Sequence, residues 1–235
     1  MLCLPRVTPF KHLCGRILAV APLLFALAAS GALPPAADDT VASTVWKLTD
    51  ANRVGGFATE VLGAPRVVDG AMVFDGMKDG IFVPAIPIAG AKQFTLEVLF
   101  NPAAGGGEAQ RFVHLEDTNT WRALIEIRLN GKGGWWLDTY MWTGASGRGL
   151  ALIDPRRVHE TGRWFWAALR YDGKTMAHFV NGQKEIEGAA AFEPYANGRI
   201  SLGVRQNKVY WFKGAIREVR FTPVALAAEK LMRVE

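Results

Sequence analysis

Between Arg122 and Trp142 the sequence sets charged and aromatic side chains at every second position. In extended backbone, residues two apart share a face. Ala123, Ile125, Ile127 and Leu129 then point one way, and Arg122, Leu124, Glu126 and Arg128 the other. In the next run Trp136, Asp138, Tyr140 and Trp142 share a face, opposite Trp135, Leu137, Thr139 and Met141. Two indoles, a phenol and a carboxylate on one stripe suit a sugar. The C–H faces of a pyranose pack on aromatic rings, and its hydroxyls pair with acids, amides and guanidinium groups. The competing reading places one or both tryptophans in the core. Asn130-Gly131 is a hairpin dipeptide that makes the two runs neighbours, so Glu126, Arg128, Asp138 and Tyr140 are expected on one surface.

Further donors stand in the stretch 203–213, where Arg205, Asn207 and Lys213 form a basic edge that suits an acidic polysaccharide. Of the histidines, His114 lies in an apolar strand, His178 in a hairpin and His159 in a loop. A lone strand histidine is more often structural than catalytic, but His114 and His178 fall in strands that could adjoin the polar stripe. No GxSxG, HExxH, P-loop, dinucleotide glycine pattern or CxxC occurs. Gly105 to Gly107 follow Asn101-Pro102 and precede a strand instead of a helix, so they read as a loop.

The elements that must hold these residues are short and extended. Alternating apolar runs at 44–48, 71–74, 81–83, 94–100, 111–115, 123–129, 135–141, 164–171, 176–180, 199–204, 209–212 and 216–221 read as strands. Asp69-Gly70, Asp172-Gly173 and Asn181-Gly182 join Asn130-Gly131 as tight-turn signals. The one helical stretch is 226–232. A dozen strands without intervening helices exclude a βαβ architecture and predict an all-β antiparallel sandwich in one domain. A length of 235 residues, with 25 glycines and 8 tryptophans, fits one large sandwich.

The N-terminus is read separately. Arg6, Lys11 and Arg16 precede the apolar run 17–29, and Ala26-Leu27-Ala28 supplies small residues for cleavage, the three-part pattern of a secretory signal. The alternative, a membrane anchor, asks thirteen residues to span a ~30 Å core with about 20 Å of helix. Residues 1–31 are therefore expected as a signal peptide, 32–42 as a spacer and 43–235 as the domain, secreted or periplasmic, with no stable membrane span after cleavage. Cys14 precedes the apolar run, so it does not resemble a lipoprotein cysteine. Cys3 and Cys14 both leave with the signal, and with them any disulfide, thiol nucleophile or thiolate metal ligand. Without Arg6, Lys11 and Arg16 the 27 basic residues fall to 24 against 22 acidic, which calls for no nucleic-acid partner.

Four blocks resemble the laminin-G-like, concanavalin A-like lectin/glucanase jelly-roll family. Val73 to Val83 is similar to its F-D-G-x-D-D-Y-V opening, and Phe94 to Pro102 to its strand ending in a proline turn. Trp164 to Lys174, leading through Met176–Val180 to Asn181-Gly182, resembles its W-x-H-V-A-x-x-Y-D-G…L-Y-V-N-G hairpin. Phe212 to Phe221, followed by Ala225-Leu226, looks like F-x-G-x-I-D-E-V-R-I-Y…A-L. The resemblance implies a two-sheet antiparallel jelly roll that meets ligands on its concave face or loop rim. Some members bind calcium through carboxylates, and calcium takes six to eight oxygens. Here Arg217 stands where an aspartate is common, and Lys78-Asp79-Gly80 where a double acid is usual. No cofactor is therefore required. Asp75 and Asp79 remain the candidate calcium ligands, or serve the turn.

The expected function is recognition of a polysaccharide or glycan by Glu126, Arg128, Trp136, Asp138, Tyr140, Trp142, Arg205, Asn207 and Lys213. Glucanases of this fold set acids at alternate positions on one strand, but here Arg128 follows Glu126 at that spacing. Jelly-roll lyases use a tyrosine or histidine as base, with arginine or an amide on the uronate. Tyr140, His114 or His178, Arg128, Asn207 and Glu126 supply matching residue types for a polysaccharide-cleaving enzyme. A structural or protein-binding module is the third reading.

Overall fold

A computed structural model describes residues 41–145 and 147–234. The signal segment and most of the spacer lie outside these residues. Among the described residues no helix is long and apolar enough to cross a membrane.

In chain order the strands are β1 (Thr44–Lys47), β2 (Arg53–Val54), β3 (Phe57–Ala58), β4 (Glu60–Leu62), β5 (Arg66–Val68) and β6 (Ala71–Asp75). Then follow β7 (Gly80–Val83), β8 (Phe94–Pro102), β9 (Ala109–Asp117), β10 (Arg122–Leu129), β11 (Gly134–Trp142) and β12 (Leu150–Ile153). The remainder are β13 (His159–Glu160), β14 (Phe165–Tyr171), β15 (Thr175–Val180), β16 (Gln183–Ala189), β17 (Gly198–Leu202) and β18 (Lys213–Thr222). A front sheet runs β12-β11-β10-β9-β17-β7-β4, with β13 beside β11. A back sheet runs β16-β15-β14-β8-β18-β6-β5, with β1 beside β18. The pairings within both sheets are antiparallel, which bears out the jelly-roll sandwich.

The inner faces close on an aromatic centre. Phe100 stacks on Phe112 at 4.5 Å between ring centres, and Trp135 meets Phe100 edge-on at 5.2 Å. Ala123, Ile125 and Ile127 from β10 join Trp135, Leu137 and Met141 from β11 in this core. Truncating such a ring costs about 3–5 kcal/mol in a close-packed interior. The pleat therefore fixes which side chains of β10 and β11 are left for the outer face.

Turn chemistry follows the dipeptides. Asp69 and Gly70 both take positive φ, at 49° and 72°, as do Asn181 and Gly182 at 47° and 72°. Asn tolerates this left-handed region and glycine adopts it without strain, which gives the tightest hairpins.

Two expectations are corrected. The segment 209–212 is no strand: Lys208 and Tyr210 sit at φ 60° and 59°, and the chain folds into a loop. Phe212 N–H donates to Gly203 O at 2.8 Å and closes that loop at its base. The C-terminal helix reduces to one 3-10 turn, Ala228–Lys230, because Leu226 N–H and Met232 N–H bond instead to Thr95 Oγ1 and Glu97 Oε1 of β8. β16 was not foreseen, since QKEIEGA shows little apolar alternation. It pairs along the edge of β15.

Candidate functional site

The front sheet's outer face carries a recess of about 270 Å³ lined by Arg111, Arg122, Leu124, Glu126, Arg128, Asp138, Tyr140, Ala151, Ile153 and Arg205. Four of these, Glu126, Arg128, Asp138 and Tyr140, are the group expected from alternation. Register explains their meeting: Leu124 stands opposite Tyr140, Glu126 opposite Asp138 and Arg128 opposite Trp136 across the β10–β11 pair.

Arg111 joins them through a bulge. Ile125 pairs with Val113, but Glu126 pairs with Arg111, so Phe112 is an extra residue on β9. Strict alternation would put Arg111 and His114 on opposite faces. The bulge resets the pleat, and both reach the outer face while Phe112 and Val113 enter the core. Nothing in the sequence signals this shift, so Arg111 was missed.

The loop at 203–212 supplies the remaining wall. Arg111 N–H donates to Tyr210 O at 2.9 Å, and the Arg111 guanidinium lies 3.9 Å from the centre of the Tyr210 ring. Gln206 N–H donates to His114 Nδ1 at 3.1 Å, and its amide donates to His114 O at 3.0 Å. This docking holds Arg205 at the recess.

The charges are interlocked. Arg128 Nε donates to Asp138 Oδ2 at 2.7 Å, and Arg111 Nε approaches Glu126 Oε2 at 2.8 Å. The second contact lacks hydrogen-bond alignment, leaving Glu126 Oε2 and the Arg111 Nε and Nη1 atoms buried without such a partner among the described residues. The Arg111–Glu126 pair is therefore an electrostatic contact. Burial, and then the Asp138 charge, push Glu126 up to about 7, against the pull of Arg111, Arg128 and Arg205. Burial also raises Asp138, although the Arg128 bond opposes it.

Tyr140 is half-buried, and Arg122 lies 5.4 Å from its ring centre and 5.1 Å from that of Trp142. Trp136 and Trp142 are therefore on the outer face, half-buried, and do not belong to the core. Trp136 lines an adjoining recess of about 620 Å³ walled by the 104–106 loop and the 130–134 turn. Its Nε1 is buried with no hydrogen-bond partner among the described residues. Asn207 lines a third recess with His114, Glu116, Arg199, Arg205 and Gln206.

His178, His114 and Lys213, all expected candidates, do not join the group. His178 lies between the sheets, fully buried, its Nδ1 2.9 Å from Thr139 Oγ1 and its Nε2 3.5 Å from Glu185 Oε2. It sits on β15 of the back sheet and faces inward, so it cannot reach the stripe. His114 does border the outer face, but Nδ1 accepts the Gln206 amide and the neutral ring keeps its proton at Nε2. Burial, then Arg205, Arg122, Arg111 and Arg199, depress His114 to about 2. It offers no free lone pair to act as a base. Lys213 belongs to β18 of the back sheet, where its ammonium lies by Gly105.

Asp75 and Asp79 hold a turn. Asp75 Oδ1 accepts the Met77, Lys78 and Asp79 amides, and Asp79 accepts those of Ala64 and Asp75. No group of three or more His, Cys, Asp or Glu that could hold a metal occurs among the described residues.

Two antiparallel sheets packed as a jelly roll, one with an open polar recess, define the lectin-like class of β-sandwich. Residues 75–232 match the family model described as Concanavalin A-like lectin/glucanases superfamily, and the chain belongs to that superfamily. No curated protein matches the chain in sequence. Among solved structures it is similar to domain 4 of AbnA, an extracellular GH43 arabinanase from Geobacillus stearothermophilus, in complex with arabinotriose. The identity is 20% and the TM-score 0.59, covering 81% of this chain and 96% of that one. It is also similar to the botulinum neurotoxin serotype D binding domain, at 13% identity and TM-score 0.55, covering 79% of this chain and 48% of that one. A heptameric SAP-like pentraxin from Limulus polyphemus gives 14% identity and TM-score 0.52, covering 77% and 81%.

Proposed function

We propose that this domain binds a carbohydrate chain along the outer face of the front sheet, as part of an exported protein. The carrying observation is the recess itself. Guanidinium, carboxyl and phenol groups from β9, β10, β11 and the 203–212 loop converge there, and several of their buried polar atoms lack hydrogen-bond partners among the described residues. Such atoms are costly to leave unpaired, and sugar hydroxyls would satisfy them. Trp136 in the adjoining recess presents a ring for a second sugar. Domain 4 of the arabinanase, which shares the fold, was solved with arabinotriose, in keeping with this reading. The basic, apolar and small-residue pattern of residues 1–31 supports export.

The test is retention on a panel of immobilised polysaccharides, with product analysis on every hit. Binding without new chain ends is expected, with loss of retention in Tyr140→Ala and in Trp136→Ala. No retention on any polymer, or variants retained like the parent, would sink the proposal.

One observation favours a second reading, a cleaving enzyme. Glu126 and Asp138 form a cross-strand carboxyl pair, and Glu126 stays protonated to near neutrality, as a general acid would. A lyase is the weaker version, since neither His114 nor His178 offers a base and Tyr140 alone remains. New reducing ends or unsaturated products, abolished by Glu126→Gln or Tyr140→Phe, would decide for the enzyme.

A further inference from the structure

The recess is lined by four guanidiniums and two carboxyls. Arg128 is matched by Asp138 and Arg111 by Glu126. The other two arginines have no ion pair among the described residues. Arg122 donates only to Thr120 O, at 3.3 Å, and otherwise lies over the Tyr140 and Trp142 rings. Glu116 is its cross-strand neighbour, but that carboxylate approaches His114 Nε2, at 3.6 Å. Arg205 Nε is buried and without a hydrogen-bond partner among the described residues. At least two positive charges therefore remain over in a concave site of about 270 Å³. Field lines concentrate in such a recess, so the excess attracts an anion more strongly than the same charges on an open surface. Arginine's planar fork matches a carboxylate or sulfate with two parallel bonds.

We infer that the carbohydrate is an anionic one, whose carboxylate or sulfate is taken by Arg122 and Arg205 while its neighbouring ring lies by Tyr140. The inference rests on the carbohydrate-binding reading and narrows it. A neutral glycan can accept hydrogen bonds from these guanidiniums, but it leaves their charge unmatched. Leaving them uncompensated beside Arg111 and Arg128 carries a repulsive cost that a bound anion removes.

The experiment uses the full chain and four probes: polygalacturonate for a carboxylate, dextran sulfate for a sulfate, and arabinan and dextran as uncharged polymers. Affinities are measured by titration at about 0.15 M salt, where long-range surface attraction is screened. One anionic polymer is expected to bind at least about tenfold more tightly than both neutral ones, about 1.4 kcal/mol. The stronger of the two anionic probes identifies the group. The double variant Arg122→Gln/Arg205→Gln should lose about tenfold. A charge-matched control at exposed positions on β5 and in the β14–β15 turn, Arg66→Gln/Lys174→Gln, should change affinity by less than about twofold. Because both recess arginines are half-buried, a second measurement stands apart from folding of the variant. Free galacturonate, or a sulfated monosaccharide if dextran sulfate is the tighter probe, should displace the polymer from the parent protein where galactose does not. Tighter binding of arabinan or dextran, insensitive to the arginine changes, overturns the anionic inference and leaves carbohydrate binding standing. Equal loss in the recess and control variants also overturns it, as diffuse charge attraction. Binding of none of the four overturns this inference, and carbohydrate binding falls with it only if the wider panel fails as well.

Discussion

Glu126 and Asp138 face one another in register across β10 and β11, each against its own arginine, Arg111 at 2.8 Å and Arg128 at 2.7 Å. Their exposures are 3% and 2%, so two carboxyls share a desolvated spot where both cannot ionise cheaply. The outcome is asymmetric. Asp138 receives an aligned hydrogen bond, whereas Glu126 does not, and Glu126 retains its proton to about pH 7.

That asymmetry sets a pH dependence. Glu126 is faced by Arg111 from β9, Arg128 on its own strand, Asp138 from β11 and Arg205 from the loop. Its folded pKa lies above the ordinary 4.5, so between about 4.5 and 7 the folded state holds more proton than the unfolded one. Stability therefore falls as pH rises through that window. Urea unfolding of the parent and of Glu126→Gln, at several pH values from 4.5 to 8, should show the variant losing roughly 1–3 kcal/mol of this decline. Parallel curves for the two proteins would refute the assignment.

Removing the neighbouring charge should release the proton. In Asp138→Asn the repulsion on Glu126 disappears and Arg128 is freed toward it, so the Glu126 midpoint should move below about 7. Carboxyl carbon NMR titration reads this directly. An unchanged or raised midpoint would show that burial alone holds the proton.

Gly149 positions Tyr140. A β-carbon built on Gly149 falls 2.2 Å from Tyr140 Oη, so Gly149→Ala must displace the phenol. Because the phenol tip can move, stability should change by less than about 1 kcal/mol. Glycan retention should nevertheless weaken about as much as in Tyr140→Ala. Retention at the parent level would show that Tyr140 is not a contact.

Glu185 ties the two layers from inside. It lies on β16 of the back sheet, 2.7 Å from His159 Nε2 of the front sheet and 3.5 Å from His178 Nε2. Burial raises Glu185, but the two histidines outweigh it and hold the carboxylate below its ordinary range. A depressed carboxyl stabilises the fold at neutral pH, and that contribution disappears as pH falls below about 4. Glu185→Ala should cost about 2–4 kcal/mol in chemical denaturation at pH 7, with glycan retention intact in the folded fraction. Loss of binding in a fully folded variant would place Glu185 in the site after all.

Much of the site was legible because alternation is a local property. Once β10 and β11 are extended, the pleat puts Glu126, Arg128, Asp138 and Tyr140 opposite Ile125, Ile127, Leu137 and Met141, whatever surrounds them. The Asn130-Gly131 turn then makes the two strands partners. Other parts were hidden because they depend on pairing between distant segments. Arg111 reaches the recess only because β9 bulges at Phe112 against β10. His178 looked like a neighbour of the stripe, but β15 lies in the opposite sheet. The segment 209–212 has an apolar strand pattern, yet Phe212 turns into the aromatic core while Tyr210 caps Arg111.

The sequence by itself determined an all-β antiparallel sandwich, the turns between its strands and the face each β10 and β11 side chain would take. These follow from backbone geometry within a few residues. Tertiary structure alone decided which arginines meet the two carboxyls, which of them stay unmatched, and that burial with the Asp138 charge raises Glu126 to about 7. Those outcomes depend on distance and burial between segments as far apart in the chain as Arg111 and Arg205, and Coulomb forces and desolvation act through space instead of along the chain.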